Sequence, residues 1–412
     1  MVSVVPRSRR ELGVRLMGFA VVGFALVLVV SAAVAPPISN TSLRDADAET
    51  VVGVQSTTTK GRIAVLDADG RERWDYGNAT SYHDVSRLPN GSVLAAFAAD
   101  GYSDCGRYDA PCARTGVRIV DPTPEPHVVF ERSFPVRTSQ DSEVHDAEFL
   151  PNGELLVADM DRERVFTVAR NGSVAWQWNA SEFYDAPPDP TRTDWLHIND
   201  VDRIGDGRYL VSVRNANQLV VVERGKGVVE VINENRDPTV LNRQHNPQWL
   251  SEDAVLVADS ENDRVVELHR EGGEWRVAWQ ARGAGGIAFD WPRDADRLPN
   301  GNTLVTDSRN NRVVELNESG AMVWSARVPT VPYEADRVPG EYPAGAPYDS
   351  GGDFGERPTK LPVFGYLLAS ARHVVELPYW LAGWHLAVGS VASLTFLVGL
   401  ALFVTGAEKG AE

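Results

Sequence analysis

Residues 145–159 read HDAEFLPNGELLVAD, and close copies of this stretch occur along the middle of the chain. HDVSRLPNGSVLAAF begins at His83, NDVDRIGDGRYLVSV at Asn199, HNPQWLSEDAVLVAD at His245 and RDADRLPNGNTLVTD at Arg293; a partial copy, YEADRVPGEYP, begins at Tyr333. Their starts lie 62, 54, 46, 48 and 40 residues apart, a spacing that marks repeat architecture. Each full copy is a strand, a two-residue turn and a second strand. Asn152-Gly153 and Asn300-Gly301 suit a type I′ turn, which needs positive φ at both central positions. Several copies run on into two more strands, as in DRERVFTVARNGSVAWQW (161–178) and NRVVELNESGAMVW (311–324). Four strands per repeat make a propeller blade; parallel solenoid coils would not need a tight hairpin within each repeat.

The ends of the repeat region suit ring closure. VVGVQSTTTKGRIAVLDADGRERWDYG (51–77) has the last strands of a blade without the first, and YEADRVPG has a first strand without the last. Together they complete a sixth blade and leave no free sheet edge. The expected fold class is all-β, a six-bladed β-propeller over 45–345, with a transmembrane helix at each end of the chain. Trp74, Trp176, Trp178, Trp279 and Trp324 fall on outer strands and read as blade-to-blade packing. The Asp-rich stretches ADMDRER and ADSENDR lack the Gly and terminal Glu of a calcium loop and read as turns.

Two segments lie outside the repeat. LMGFAVVGFALVLVVSAAVA (16–35) is uncharged and long enough to cross a bilayer. It follows Arg7, Arg9, Arg10 and Arg15, which keep the N-terminus cytoplasmic. Ala33-Val34-Ala35 also fits a signal-peptidase site, so residues 1–36 are an anchor or a cleaved signal, with the long apolar run favouring the anchor. LAGWHLAVGSVASLTFLVGLALFV (381–404) is a second span, entered through Tyr379 and Trp380 as an interfacial belt. The expected organisation is therefore a linker over 346–378, a span over 379–404 and a cytoplasmic tail over 405–412, with the propeller on the extracellular side of the cell membrane. Cys105 and Cys112, the only cysteines, would pair there as a local disulfide. Asn40, Asn78, Asn90, Asn171, Asn179 and Asn317 head Asn-x-Ser/Thr sequons, some of them simply hairpin turns.

The 412 residues carry a formal net charge of -17, and Lys occurs only at positions 60, 226, 360 and 409. Excess carboxylate with little Lys suits solubility in high salt, so a halophilic source is expected. The acidic balance argues against a nucleic-acid partner.

Innermost propeller strands line a central channel. Aligned on their turns, the copies place His83, His145, Asn199, His245, Arg293 and Tyr333 at one position. His197, two residues before Asn199, shares its face. If Asp206-Gly207 is a two-residue turn, Asn199 faces Arg214 directly and His197 lies on the diagonal. The equivalents of Arg214 in other blades are Ala98, Met160, Ser260 and Ser308, so Arg214 is specific to one blade. Three or four imidazoles can hold a metal, but Arg214 beside them opposes a cation, and no metal or other cofactor is expected. The cluster suits an anion or anionic ester. Arg214 offers a planar fork of donors, and a neutral imidazole is a good nucleophile near pH 7. No nucleophile elbow, Walker loop or dinucleotide fingerprint accompanies it.

The order HDxxxLPNG (His83, His145), WLHIND…SVRNANQL (195–219), RQHNPQWL (243–250) and RLPNGNTLVTDSRNNRVVEL (297–316) resembles the arylsulfotransferase family of six-bladed propellers over most of residues 50–340. The resemblance implies a periplasmic or secreted enzyme that moves a sulfuryl group from an aryl sulfate to a phenolic acceptor; the spans and the acidic composition of this chain depart from that and make it a membrane-anchored, haloarchaeal-type member. The resemblance also implies a ping-pong route through a sulfohistidine, without a nucleotide sulfate donor. By motif, His245 is the nucleophile. His197, Asn199 and Arg214 hold the sulfate oxygens. His145 or His83 assists as acid–base, with Arg293 and Tyr333 lining the substrate site. The sequence departs from the family pattern at Asn246-Pro247, where an acidic residue would follow the His. From a different class, a non-catalytic surface propeller binding an anionic ligand in its channel fits the same residues.

Overall fold

The computed structural model describes residues 8–56, 61–338, 344–355, 361–372, 374–375 and 377–408. Lys60, Lys360, Lys409, Arg7 and the end of the partial copy (339–343) lie outside them. Two compact units are present, residues 38–356 and the pair of segments 1–37 and 357–412.

The larger unit is a six-bladed propeller. Blade one comprises strands Ser81–Arg87, Val93–Tyr102, Cys112–Asp121 and His127–Val136, and blade two Val144–Phe149, Leu155–Asp159, Arg164–Val168 and Val174–Asn179. Blade three runs Ile198–Gly205, Arg208–Val213, Gln218–Glu223 and Gly227–Ile232. Blade four runs His245–Ser251, Ala254–Asp259, Arg264–Glu271 and Glu274–Ala281, and blade five Pro292–Arg297, Thr303–Asp307, Arg312–Leu316 and Met322–Arg327. Blade six joins the ends of the repeat region: Pro332–Val338 is its inner strand, and Glu49–Val54, Gly61–Leu66 and Glu72–Ala79 are the other three. The inner strands touch in cyclic order around the axis. Apolar side chains fill the spaces between blades; one cluster joins Leu156, Val165 and Trp178 of blade two to Val201, Tyr209 and Val220 of blade three.

The acid that follows the site position in most copies has a structural task. An inner strand has a free edge toward the axis, whose N–H groups need acceptors. Asp84 of blade one accepts from Ala147 N of blade two, and Asp146 from Val201 N of blade three. Asp294 accepts from Ala335 N, and Glu334 from Val85 N. A second tier repeats the pattern, with Glu148 on Arg203 N, Gln248 on Arg297 N and Asp336 on Arg87 N. The HD, RD and YE pairs of the sequence are thus rungs that tie each blade to the next.

The Asp-rich stretches form turns as expected, but the Asn152-Gly153 and Asn300-Gly301 turns are not type I′. Only the glycines have positive φ, 79° and 85°, and bonds from Leu150 N to Glu154 O and from Leu298 N to Asn302 O close three-residue loops. Asp159, Asp259 and Asp307 each accept from an Arg five residues on, Arg164, Arg264 and Arg312. In blades four and five this carboxylate also accepts from the Asn262 or Asn310 side chain of the following 3-10 turn. Cys105 and Cys112 are disulfide-bonded, with Cα atoms 5.7 Å apart. Trp178, Trp279 and Trp324 are buried between blades, and Trp176 stacks on Tyr209.

The stretch 346–378 divides in two. Gly352–Phe354 adds a parallel fifth strand to the outer edge of blade four, and the chain before it forms a strap across blades four and five. Tyr348 lies over the Arg297 guanidinium at 3.2 Å, and Phe354 packs on Trp279. At Gly345 a Cβ would come within 2.2 Å of the Leu298 carbonyl oxygen, so only glycine permits this approach of the strap.

In the smaller unit, helices α1 (Arg9–Val34) and α3 (Gly383–Glu408) pack antiparallel, with α2 (Pro362–Arg372) beside α3. Gly13 meets Gly399, and Gly389 meets Phe24, the small-residue contact that brings apolar helices close. Arg9–Val34 and Gly383–Gly406 are each long and apolar enough to span a membrane.

Candidate active site

A β-bulge recurs where the inner strand of each blade opens into the channel. The pairing of inner and second strands skips a residue at His83, His145, Asn199, Arg293 and Tyr333. In blade four it shifts between His245 and Gln248. A bulge leaves its extra residue unpaired and re-aims the side chain, which turns one register position into a ring pointing at the axis. It also overturns one expectation. Gly205 does pair with Arg208, but a register shift at Ile204 and a second at Asn199 intervene, so Asn199 does not face Arg214. The backbone partner of Arg214 N is His197 O, at 3.3 Å. Arg214 opens a 3-10 turn (Arg214–Ala216) equivalent to Ser260–Asn262 and Ser308–Asn310, as the alignment of blades predicts.

The expected residues converge. Ring centroids of His83 and His145 are 4.7 Å apart, His145 and His197 5.2 Å, and His245 and Tyr333 5.9 Å. His145 Nδ1 and Tyr333 Oη share a hydrogen bond of 3.0 Å. The Arg293 guanidinium lies 4.0 Å above the Tyr333 ring, donates from Nη1 to Gln55 and from Nε to Ser308 Oγ. Asn199 Nδ2 donates to Gln244 O, so part of the amide expected to hold an oxyanion supports the backbone before His245 instead. Arg214 Nη1 donates to Asn215.

Other members of the site sit on loops and were not singled out in the sequence. Asp194 meets His197 Nδ1 at 2.7 Å and fixes that ring. His197 itself has φ +56°. The strain of that conformation is offset by Glu163, whose carboxylate accepts from Leu196 N, His197 N and Ile198 N. Glu143 lies 3.7 Å from His83 Nε2, and Trp291 stands edge-on to His245 at 6.0 Å. Ser260 Oγ meets His245 Nδ1 at 2.8 Å.

Buried polar atoms are normally hydrogen-bonded. Here several converge without a partner among the described residues: both ring nitrogens of His83, His145 Nε2, Asn199 Oδ1, Arg214 Nε and Arg293 Nη2. Such a concentration marks a place built to meet a polar ligand. Its character is that of a basic site kept neutral at the imidazoles. Burial first, then the Arg293 and His197 charges, pushes His83 down to about 3. Burial and the Arg214 and Arg293 charges hold His245 well below the ordinary His range, and burial with the surrounding His rings does the same to His145. His197 is also lowered, by burial and Arg214, against the pull of Asp194. Burial lowers Arg293 to about 9 and raises Glu143 to about 8. Neutral imidazoles beside fixed guanidinium charge can attack an electrophile and stabilise the anion that forms.

Deeper in the channel the sign reverses. Burial, then mutual repulsion with acids such as Asp202 and Asp336, raises the rung carboxylates, Asp84 and Asp294 to about 7 and Glu148 to about 8. A carboxylate raised in the fold binds a proton that the unfolded chain has released, so stability falls as pH climbs to the folded value. Below about 6.5 the depressed histidines oppose this, because the unfolded chain then takes up their protons. Above 6.5 they are neutral in both states. We expect Tm to fall between pH 7 and about 9, and Asp84→Asn to flatten that slope; a melting series with Tm level or rising over this window would contradict the assignment.

The family described as Arylsulfotransferase (ASST) matches residues 26–237, about half of the chain. The match takes in His83, His145, His197, Asn199 and Arg214; His245, Arg293 and Tyr333 lie beyond it. No curated protein matches the chain. Among solved structures, a Bacteroides caccae protein of unknown function aligns with TM-score 0.52 at 14% identity, covering 71% of this chain and 98% of its own; that likeness is one of fold. A periplasmic gluconolactonase from Pseudomonas aeruginosa aligns with TM-score 0.45 at 16% identity (73% and 88% covered). Virginiamycin B lyase from Staphylococcus aureus, an inactive variant with quinupristin, aligns with TM-score 0.43 at 11% identity (71% and 89% covered).

Proposed function

The chain belongs to the arylsulfotransferase family, and on that premise we propose that it transfers a sulfuryl group from an aryl sulfate ester to a phenolic acceptor through a sulfohistidine at His245. One observation supports this above others. His245 stands among neutral imidazoles with the half-buried Arg214 and the buried Arg293, whose guanidinium groups make no ion pair among the described residues.

In the first half-reaction the His245 lone pair attacks sulfur, an N–S bond forms, the S–O bond to the aryl group breaks, and an aryl oxide leaves. Arg214, with His197 and Asn199 around it, meets the sulfuryl oxygens as their charge is redistributed. In the second half-reaction the phenol oxygen attacks sulfur, the N–S bond breaks, and the phenolic proton passes to the His145–Tyr333 pair. His83, against Glu143, lines the same pocket. The proton released in the second half-reaction balances the one taken up by the aryl oxide. No cofactor enters the reaction. The two apolar helices anchor the chain, with the propeller on the outer face, as the Arg-rich N-terminus favours. The acid-rich composition suits a halophilic setting.

The test is intact-mass analysis of the full chain in detergent at high salt, mixed with a chromogenic aryl sulfate and no acceptor. A gain of one sulfuryl group that disappears on adding a phenol is the expected result. Release of no phenol and no adduct across several donors would replace this reading with that of an anion-binding propeller. Arg214→Lys keeps the charge but loses the planar fork; it is expected to slow adduct formation by about 100-fold, read by single-turnover release of the phenol, whereas an unchanged rate would remove Arg214 from the site.

A further inference from the structure

Ser260 is the first residue of the short turn that follows the second strand of blade four, and its side chain is fully buried. Its hydroxyl oxygen lies 2.6 Å from Pro292 O and 2.8 Å from His245 Nδ1, with Ala258 O farther away at 3.4 Å. A carbonyl oxygen can only accept, and a serine hydroxyl has one hydrogen to give. The short contact to Pro292 O takes that hydrogen. Toward His245 the oxygen then presents a lone pair, so the hydrogen between the two side chains belongs to the ring.

Resting on the sulfuryl-transfer reading, we propose that Ser260 is a positioning residue, which holds His245 as the Nδ1–H tautomer and leaves the Nε2 lone pair for the bond to sulfur. A neutral imidazole carries its proton on one nitrogen only, and the partner of that nitrogen decides which. Among the described residues the one side-chain hydrogen bond of the His245 ring is that to Ser260, and the Arg243 backbone beside the ring favours its charged form. When Nε2 bonds to sulfur the ring becomes cationic while keeping its Nδ1 proton. Ser260 Oγ then accepts from a charged donor, a stronger bond than in the resting ring. Blade five uses the same place in the same way: Ser308 Oγ accepts from Arg293 Nε at 3.2 Å. In blade three the equivalent residue is Arg214. One position per blade thus serves as support twice and as a member of the site once.

The tautomer can be read without turnover. Full-length protein labelled with 15N-histidine, at neutral pH in detergent, should show the Nδ1 of His245 as the protonated nitrogen and Nε2 as the bare one, assigned by their loss in His245→Gln. Ser260→Ala should shift the ring toward the other tautomer, and Ser260→Thr should restore it. Adduct formation with a chromogenic aryl sulfate should fall about 10-fold in Ser260→Ala, the bias one hydrogen bond supplies, and recover in Ser260→Thr. A proton found on Nε2 in the unaltered protein, or an identical tautomer in Ser260→Ala, overturns the proposal. Correct tautomers with no adduct in any of the proteins would instead refute sulfuryl transfer and leave the role of Ser260 in fixing the ring intact.

Discussion

His245→Ala is expected to abolish the sulfuryl adduct and to lower turnover by about 10,000-fold or more, the scale on which a covalent nucleophile is lost. His245 is assigned by its place in the RQHNPQWL motif, because its Nδ1 is engaged by Ser260 just as two neighbouring rings are engaged. His197 Nδ1 is taken by Asp194, and His145 Nδ1 by Tyr333. His83 is fully buried, and among the described residues neither nitrogen has a hydrogen-bond partner, Nε2 facing Glu143 at 3.7 Å. The substitution should leave the fold standing. Ser260 keeps its bond to Pro292, and the loss of one hydrogen bond costs about 1 kcal/mol. A soluble, normally melting variant without adduct is therefore the informative result. An adduct that survives would move the nucleophile elsewhere, and its mapped position would say where; His145, with an orphaned Nε2, is the first alternative.

The second large effect is on stability. Arg297→Ala is expected to cost about 3–5 kcal/mol, because it strands the buried Glu267 carboxylate. Both partners are fully buried, and Arg297 Nη2 meets Glu267 Oε2 at 2.7 Å. The same guanidinium holds Thr303 through Nε and the strap through Ala346 O. Glu267 in turn accepts from Tyr348 N, so blade four, blade five and the strap meet at one charge pair. Against a total of about 5–15 kcal/mol, such a loss should be plain in denaturant unfolding. The pairing of Arg297→Met with Glu267→Gln should recover most of it, since no charge is then left alone. A single-variant loss below about 1 kcal/mol would show that water or a shift of His269 relieves Glu267.

The repeat was legible because every blade must make the same inner hairpin, and Asn-Gly turns announce it. Ring closure followed from two complementary half-blades. The site position was legible for the same reason, as one column of His, Asn, Arg and Tyr. The facing of Asn199 and Arg214 was not, because a bulge adds one residue without demanding a residue type. Asp194, Glu143 and Trp291 lie on blade-connecting loops, and Glu163 on a turn within blade two, whose contacts depend on packing, not on local pattern. Ser260 was in view as the counterpart of Arg214, but nothing in the sequence shows that its hydroxyl meets an imidazole. The acid after the column carried no reading in the sequence, and it is an acceptor for the next blade's free edge. The strap read as a linker because it carries no periodicity, and its value lies in single contacts at Gly345, Tyr348 and Phe354.

Blade six has a consequence in time. Val54 ends the strand that pairs with Pro332–Val338, and the 278 residues from 54 to 332 separate the two in the order of synthesis. At roughly 5–20 residues per second the first strand made waits about 14–56 seconds for its partner. During that interval a fully apolar strand, Val51 to Val54, shows an unpaired edge to anything nearby. The last inner strand to emerge is therefore the one that shuts the ring, and a ribosome that stalls before residue 332 leaves five blades with an open, adhesive seam.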